Sequence, residues 1–177
     1  SDYTDGLAMK AVKMVFDYLP SAYENGAGDP TAREKMANAS CLAGMAFSNA
    51  FLGLNHSMAH KLGAFHHLPH GVANAVILPY VMEYNAPCTG EKYRDIAKAM
   101  GVQGTEAMSQ EEYRKAAIDA VKKLSEDVGI PKTLHEIGVK EEDLKALSEF
   151  AFIDACTPGN PRDTSPEEIC ELYKKIY

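Results

Sequence analysis

The sequence predicts an all-α protein. Three observations carry that reading. Apolar residues recur at three- and four-residue steps over several long stretches. Helix-start signals, a Ser or Asp followed by Pro or by Glu three residues on, stand in front of those stretches. No run of four to eight residues alternates cleanly between apolar and polar, as a half-buried strand would.

Ala8, Val12, Val15, Phe16 and Leu19 lie on one face of a helix over roughly 3–19, and Pro20 is expected to end it. Asp29-Pro30 is a cap followed by a proline in the first turn, so a second helix starts there. Its body, "TAREKMANASCLAGMAFSNAFLG", becomes almost entirely small or apolar, with Ala37, Cys41, Gly44 and Ser48 near one face. That pattern predicts a buried central helix. Gly53 breaks it, and "NHSMAHKLGAFHH" follows as a short helix closed by the turn "LPHG". "VANAVILPYVMEYN" is apolar enough for a further buried helix; "AVILPYV" also suits a strand, but Pro79 favours a helix. Further helices are predicted near 91–100, 109–128, 141–154 and 165–176. Ser109 with Glu112 has the capping-box spacing, Gly129 and Pro131 stand in stop positions, and Ser165-Pro166 with Glu168 opens the last helix.

The chain has 177 residues, enough for one domain spanning 1–177 with a real core. A net charge of −7 argues against nucleic acid as a partner. No apolar run has the length of a membrane span. Cys41, Cys88, Cys156 and Cys170 form no CxxC pair, which favours buried, reduced thiols in a cytoplasmic setting over a disulfide framework. Met9, Met14, Met36, Met45, Met58 and Met82 lie on or near apolar faces and are assigned to core packing.

Five of the six histidines, His56, His60, His66, His67 and His70, fall within fifteen consecutive residues. His56 and His60 are four apart, so a helix sets both imidazoles on one face, one turn apart. That spacing suits two ligands of one metal ion, or one ligand beside one catalytic group. His70 lies between Pro69 and Gly71 at the predicted start of the next helix, where it can reach the same point as His56. His66 and His67 are adjacent and point apart, so at most one faces such a site. His135, beside Leu134 and Glu136, reads as structural or solvated. A single histidine in such a helix is ordinarily a hydrogen-bonded core or surface residue; the density here favours a metal or catalytic site. Completing it needs at least one more ligand, and the window "NHSMAHKLGAFHHLPHG" has no carboxylate.

The stretch "GLNHSMAHKLGAFHHLPHGVANAVILP" resembles the signature of the iron-dependent (group III) alcohol dehydrogenases, and in its details the dehydrogenase half of the bifunctional aldehyde–alcohol dehydrogenases. "DYTDGLAMKAVKMVFDYLP", "REKMANASCLAGMAFSNAFLGL" and "DACTPGNPRDTS" are similar to the same family, so the resemblance covers essentially the whole chain. It implies a helical bundle like the C-terminal domain of the dehydroquinate synthase-like, iron alcohol dehydrogenase fold. It implies a divalent metal held by one aspartate and three histidines, two of them matching His56 and His70. His60 matches the family histidine near the metal and the nicotinamide, with a part in proton transfer or positioning; His67 lines the pocket, and Phe65 and Leu68 shape its apolar wall. The cofactors implied are iron(II), with zinc also accommodated, and NAD. The remaining ligands and the dinucleotide-binding half are expected in sequence before Ser1, so the chain reads as a fragment that is inactive alone. In full-length form it would be a homo-oligomer acting on a short primary alcohol or its aldehyde.

Two other classes compete. One is a non-catalytic helical module for subunit assembly, with the histidines as relics. The other is a metal-dependent hydrolase, which would need carboxylates near the metal.

Overall fold

The computed structural model describes residues 1–177, which form eight α-helices, short 3-10 turns and no strand. The helices are α1 (Asp2–Asn25), α2 (Pro30–Ala50), α3 (Leu54–His66), α4 (His70–Asn85), α5 (Lys92–Ala99), α6 (Gln110–Asp127), α7 (Leu144–Phe152) and α8 (Pro166–Ile176). No helix is long and apolar enough to cross a membrane. The helices group into two compact units, one of residues 1–51 and 90–128, the other of 52–89 and 129–177.

In the first unit α1 and α2 form a helical hairpin and α5 packs on α6. Asp29 caps α2 by accepting from the Ala32 N–H at 2.9 Å. Its other oxygen accepts from the Ser21 hydroxyl at 2.7 Å. Pro20 does not end α1, as the sequence suggested it would. The helix runs through Pro20 to Asn25, and its last turn is anchored to the cap of the next helix. The predicted burial of α2 also needs correction. Ala32, Ala39 and Ala46, seven residues apart, are its buried positions, whereas Ala37, Cys41 and Ser48 are exposed and Gly44 is half-buried. Small residues surround this helix on every side, so its composition could not say which stripe α1 would cover. The Ser109–Glu112 capping box at the start of α6 is present in both directions.

The second unit holds a single apolar core. Leu54, Met58 and Leu62 of α3 meet Ala73, Ile77 and Val81 of α4, Leu144 and Leu147 of α7, and Ile169, Tyr173 and Ile176 of α8. Helix α4 runs through the buried Pro79. Gly129 lies at φ 71, just past the end of α6, where a side chain would be strained. None of the four cysteines is fully buried: Cys41 and Cys88 are exposed, Cys156 and Cys170 intermediate. The expectation of buried thiols is therefore wrong: Cys41 lies off the buried Ala32–Ala39–Ala46 stripe of α2, Cys88 and Cys156 stand in or beside short 3-10 turns, and Cys170 only borders the core. Met14 and Met58 do pack in the interior, but Met45 is 44% exposed.

Candidate metal centre

Helix α3 is oriented by its apolar stripe. Leu54, Met58 and Leu62 recur every four residues and are wholly buried. His56 and His60 lie two positions away from that stripe, on a half-buried side of the helix. The helix ends at His67, whose backbone takes the left-handed conformation at φ 55 and ψ 30. The left-handed cap reverses the chain, and Pro69, extended at ψ 129, sets His70 as the first residue of α4.

This turn brings three imidazoles together. Ring centroids are 5.4 Å apart for His56 and His70, 5.6 Å for His60 and His70, and 6.0 Å for His56 and His60. Burial, and then the neighbouring rings of His70 and His60, hold the His56 pKa below the usual imidazole value. His56 is thereby biased to the neutral form, the form that ligates metals. His70 is exposed but braced: the Asn74 amide lies 3.1 Å from its Nε2 and donates to its carbonyl at 3.0 Å. Asn55 of α3 in turn donates to the Asn74 side-chain oxygen at 2.8 Å. The two helices that carry the rings are thus tied by a polar link beside the apolar one.

The sequence window offers no carboxylate, but the fold delivers one. Asp154, just after α7, places Oδ2 3.2 Å from His60 Nδ1 and 2.7 Å from Lys61 Nζ. Its Oδ1 accepts from the Cys156 backbone N–H at 3.0 Å. Burial opposes its charge, yet the hydrogen bonds from Lys61, Cys156 and His60, with the Lys61 charge, outweigh it and hold the carboxyl well below the usual range. Donor atoms of His60, Asp154 and Cys156 lie within 4.8 Å of one another. Burial, reinforced by Asp154, keeps the Cys156 thiol protonated, and Lys61 already neutralises Asp154. The trio is therefore an ion-pair cluster attached to His60 and not a second cation site. Sequence reasoning missed Asp154 and Lys61. Asp154 opens the family-like stretch "DACTPGNPRDTS", but it is separated from His60 by 94 residues and no spacing links the two.

The remaining histidines stand apart from the three. His66 Nε2 lies 3.4 Å from Asp143 Oδ2, at the far end of α3 from His56. His67 is exposed and caps the helix. His135 is exposed and packs edge-on to Tyr177 at 5.5 Å. Phe65 is partly exposed and meets Phe150 at 5.7 Å between ring centroids, while Leu68 packs against the apolar core.

Comparison with known proteins adds four findings. Residues 1–177 match the family described as "Fe-containing alcohol dehydrogenase family, C-terminal". The lactaldehyde reductase of Escherichia coli (strain K12) is 54% identical over 170 residues, which are 96% of this chain and 44% of that protein. An aldehyde-alcohol dehydrogenase of Streptococcus pneumoniae is 43% identical across the whole chain, which covers 22% of it. Among solved structures, a 1,3-propanediol oxidoreductase superposes with a TM-score of 0.97 at 42% identity, over 100% of this chain and 46% of that one. The chain thus spans less than half the length of the relatives it matches.

Proposed function

The chain belongs to the Fe-containing alcohol dehydrogenase family, through its C-terminal part, and from that premise we propose that it supplies the metal-binding half of an enzyme interconverting a short primary alcohol and its aldehyde. The observation that carries this reading is the triangle of His56, His60 and His70, with edges of 5.4 to 6.0 Å. His56 and His70 would hold the divalent cation through neutral imidazole nitrogens, a donor type that suits iron(II) and zinc. The resemblance implies a third histidine and an aspartate as further ligands, outside residues 1–177. When bound, the cation supplies Lewis acidity toward the alcohol or carbonyl oxygen, and NAD exchanges the hydride.

The rest falls to this chain's own residues. His60 takes up the hydroxyl proton in alcohol oxidation and returns it in aldehyde reduction. Phe65 and Leu68 give the pocket an apolar wall, and His67 stands at its edge. The relatives' names, a lactaldehyde reductase and a 1,3-propanediol oxidoreductase, support a small substrate that can bear a second oxygen. Two ligating histidines without the remaining donors favour weak cation binding by residues 1–177 alone and no turnover.

The test is made in the intact enzyme. His56→Ala and His70→Ala should each lose bound metal and turnover of ethanol with NAD, while assembly is retained. His60→Ala should keep the metal and lose turnover. Metal and activity surviving both ligand substitutions would refute the reading. Lost assembly with metal retained would support the assembly-module class instead.

A further inference from the structure

A neutral imidazole carries one proton on one of two nitrogens, and the choice decides which nitrogen can accept another. For His60 the choice is imposed from outside the ring. Asp154 Oδ2 stands 3.2 Å from Nδ1. The Asp154 side chain is only 10% exposed and cannot turn away freely. Its Oδ1 is held by the Cys156 N–H at 3.0 Å, and Lys61 Nζ sits 2.7 Å from the same Oδ2 that faces His60. An ionised carboxylate has acceptors only, so opposite Nδ1 it can meet nothing but an N–H.

We propose that Asp154 is the positioning residue of this centre: it holds the His60 proton on Nδ1 and leaves Nε2 as the bare nitrogen that exchanges a proton with the alcohol oxygen. Lys61 completes the device by fixing the carboxylate beside the ring. The proposal rests on the reading that His60 handles that proton. Its alternative is a purely architectural Asp154, tying the segment after α7 to α3.

Asp154→Ala separates the two. It removes the acceptor opposite Nδ1 and puts neither donor nor acceptor in its place, so the His60 ring returns to the Nε2–H form that a neutral imidazole without such a partner favours. Long-range 1H–15N spectra of the histidine-labelled chain, taken where His60 is neutral and assigned with His60→Gln, read the tautomer directly. Nδ1–H in the parent and Nε2–H in Asp154→Ala is the expected result. Nε2–H in the parent overturns the proposal without any variant, and so does Nδ1–H persisting in a folded Asp154→Ala. In the intact enzyme Asp154→Ala should lower kcat about 10- to 100-fold, with metal content and the KM for NAD unchanged. Loss of the metal instead would mark Asp154 as architectural and overturn the proposal. Turnover unaffected by His60→Gln would sink the assignment of His60 while leaving the tautomer result standing, so the two failures are told apart.

Discussion

Tyr173 donates its hydroxyl hydrogen to the main-chain carbonyl of Met58 across 2.8 Å, inside the core. Met58 lies between His56 and His60, so this bond pins the helical turn that carries both rings to α8. Burial pushes the Tyr173 hydroxyl far above its usual pKa, and it stays a donor at all working pH values. Tyr173→Phe removes the donor and keeps the ring. It should destabilise the protein by about 1 kcal/mol, read as a lower denaturant midpoint at unchanged m-value.

The Asp154 cluster gives a dependence on pH. The folded-state pKa lies below the ordinary 3.8, because the Lys61, Cys156 and His60 contacts outweigh the opposing effect of burial. A depressed carboxyl pKa adds stability that is complete above the unfolded value and drains away as pH falls through the folded one. The parent chain should exceed Asp154→Asn in stability near neutral pH, by about 2 kcal/mol for a charge-assisted network. Acidification below about pH 4 should narrow that gap. A difference that is flat from neutral pH to about pH 3 would remove the charge from the account.

Asn74 braces His70, and Asn55 braces Asn74. Asn74→Ala frees the His70 ring and breaks the link to α3. Partners behind a ligating histidine commonly matter by 10- to 100-fold in metal affinity. Competition with a chelator in the intact enzyme should show a fall of about 10-fold, with the far-UV circular dichroism unchanged.

His67 sits at φ 55, a conformation that strains a residue with a side chain. His67→Gly should fold with stability equal to or slightly above the parent, whereas His67→Val should cost about 1–2 kcal/mol. Thermal unfolding of the pair tests the cap. Turnover of the glycine variant tests the pocket, and a kcat or KM changed several-fold there would give the imidazole a part beyond capping.

Gly53 stands where α3 begins, with Asn160 beside it. A Cβ there would lie 3.2 Å from Asn160 Oδ1 and 3.3 Å from its Cα. Asn160 cannot shift freely, since its side chain exchanges hydrogen bonds with Asn85 in both directions at 2.8 Å. Gly53→Ala should therefore cost about 1–3 kcal/mol, checked by chemical denaturation.

The sequence carried the helices well where local chemistry decides them. The Ser109–Glu112 and Ser165–Glu168 boxes and the Asp29-Pro30 start are all used as read. The meeting of His56 with His70 was legible too, because a four-residue step and one short turn govern it. What escaped depends on distant partners. The turn after Pro20 stays in α1, and its Ser21 is tied to Asp29, eight residues on. The buried stripe of α2 is chosen by α1 from a helix of nearly uniform composition. Asp154 belongs to the centre only because α7 packs on α3, and although "DACTPGNPRDTS" stands out as a stretch, nothing in it says that it meets α3.

The three rings, Lys61 and Asp154 all lie in the unit of residues 52–89 and 129–177, which the chain leaves and re-enters. During folding, the His56–His70 pair can close early as a local hairpin, while the His60–Asp154 contact must wait for a large loop to be drawn shut. The carboxylate that fixes His60 is thereby the part of the centre whose placement depends on the whole unit having closed.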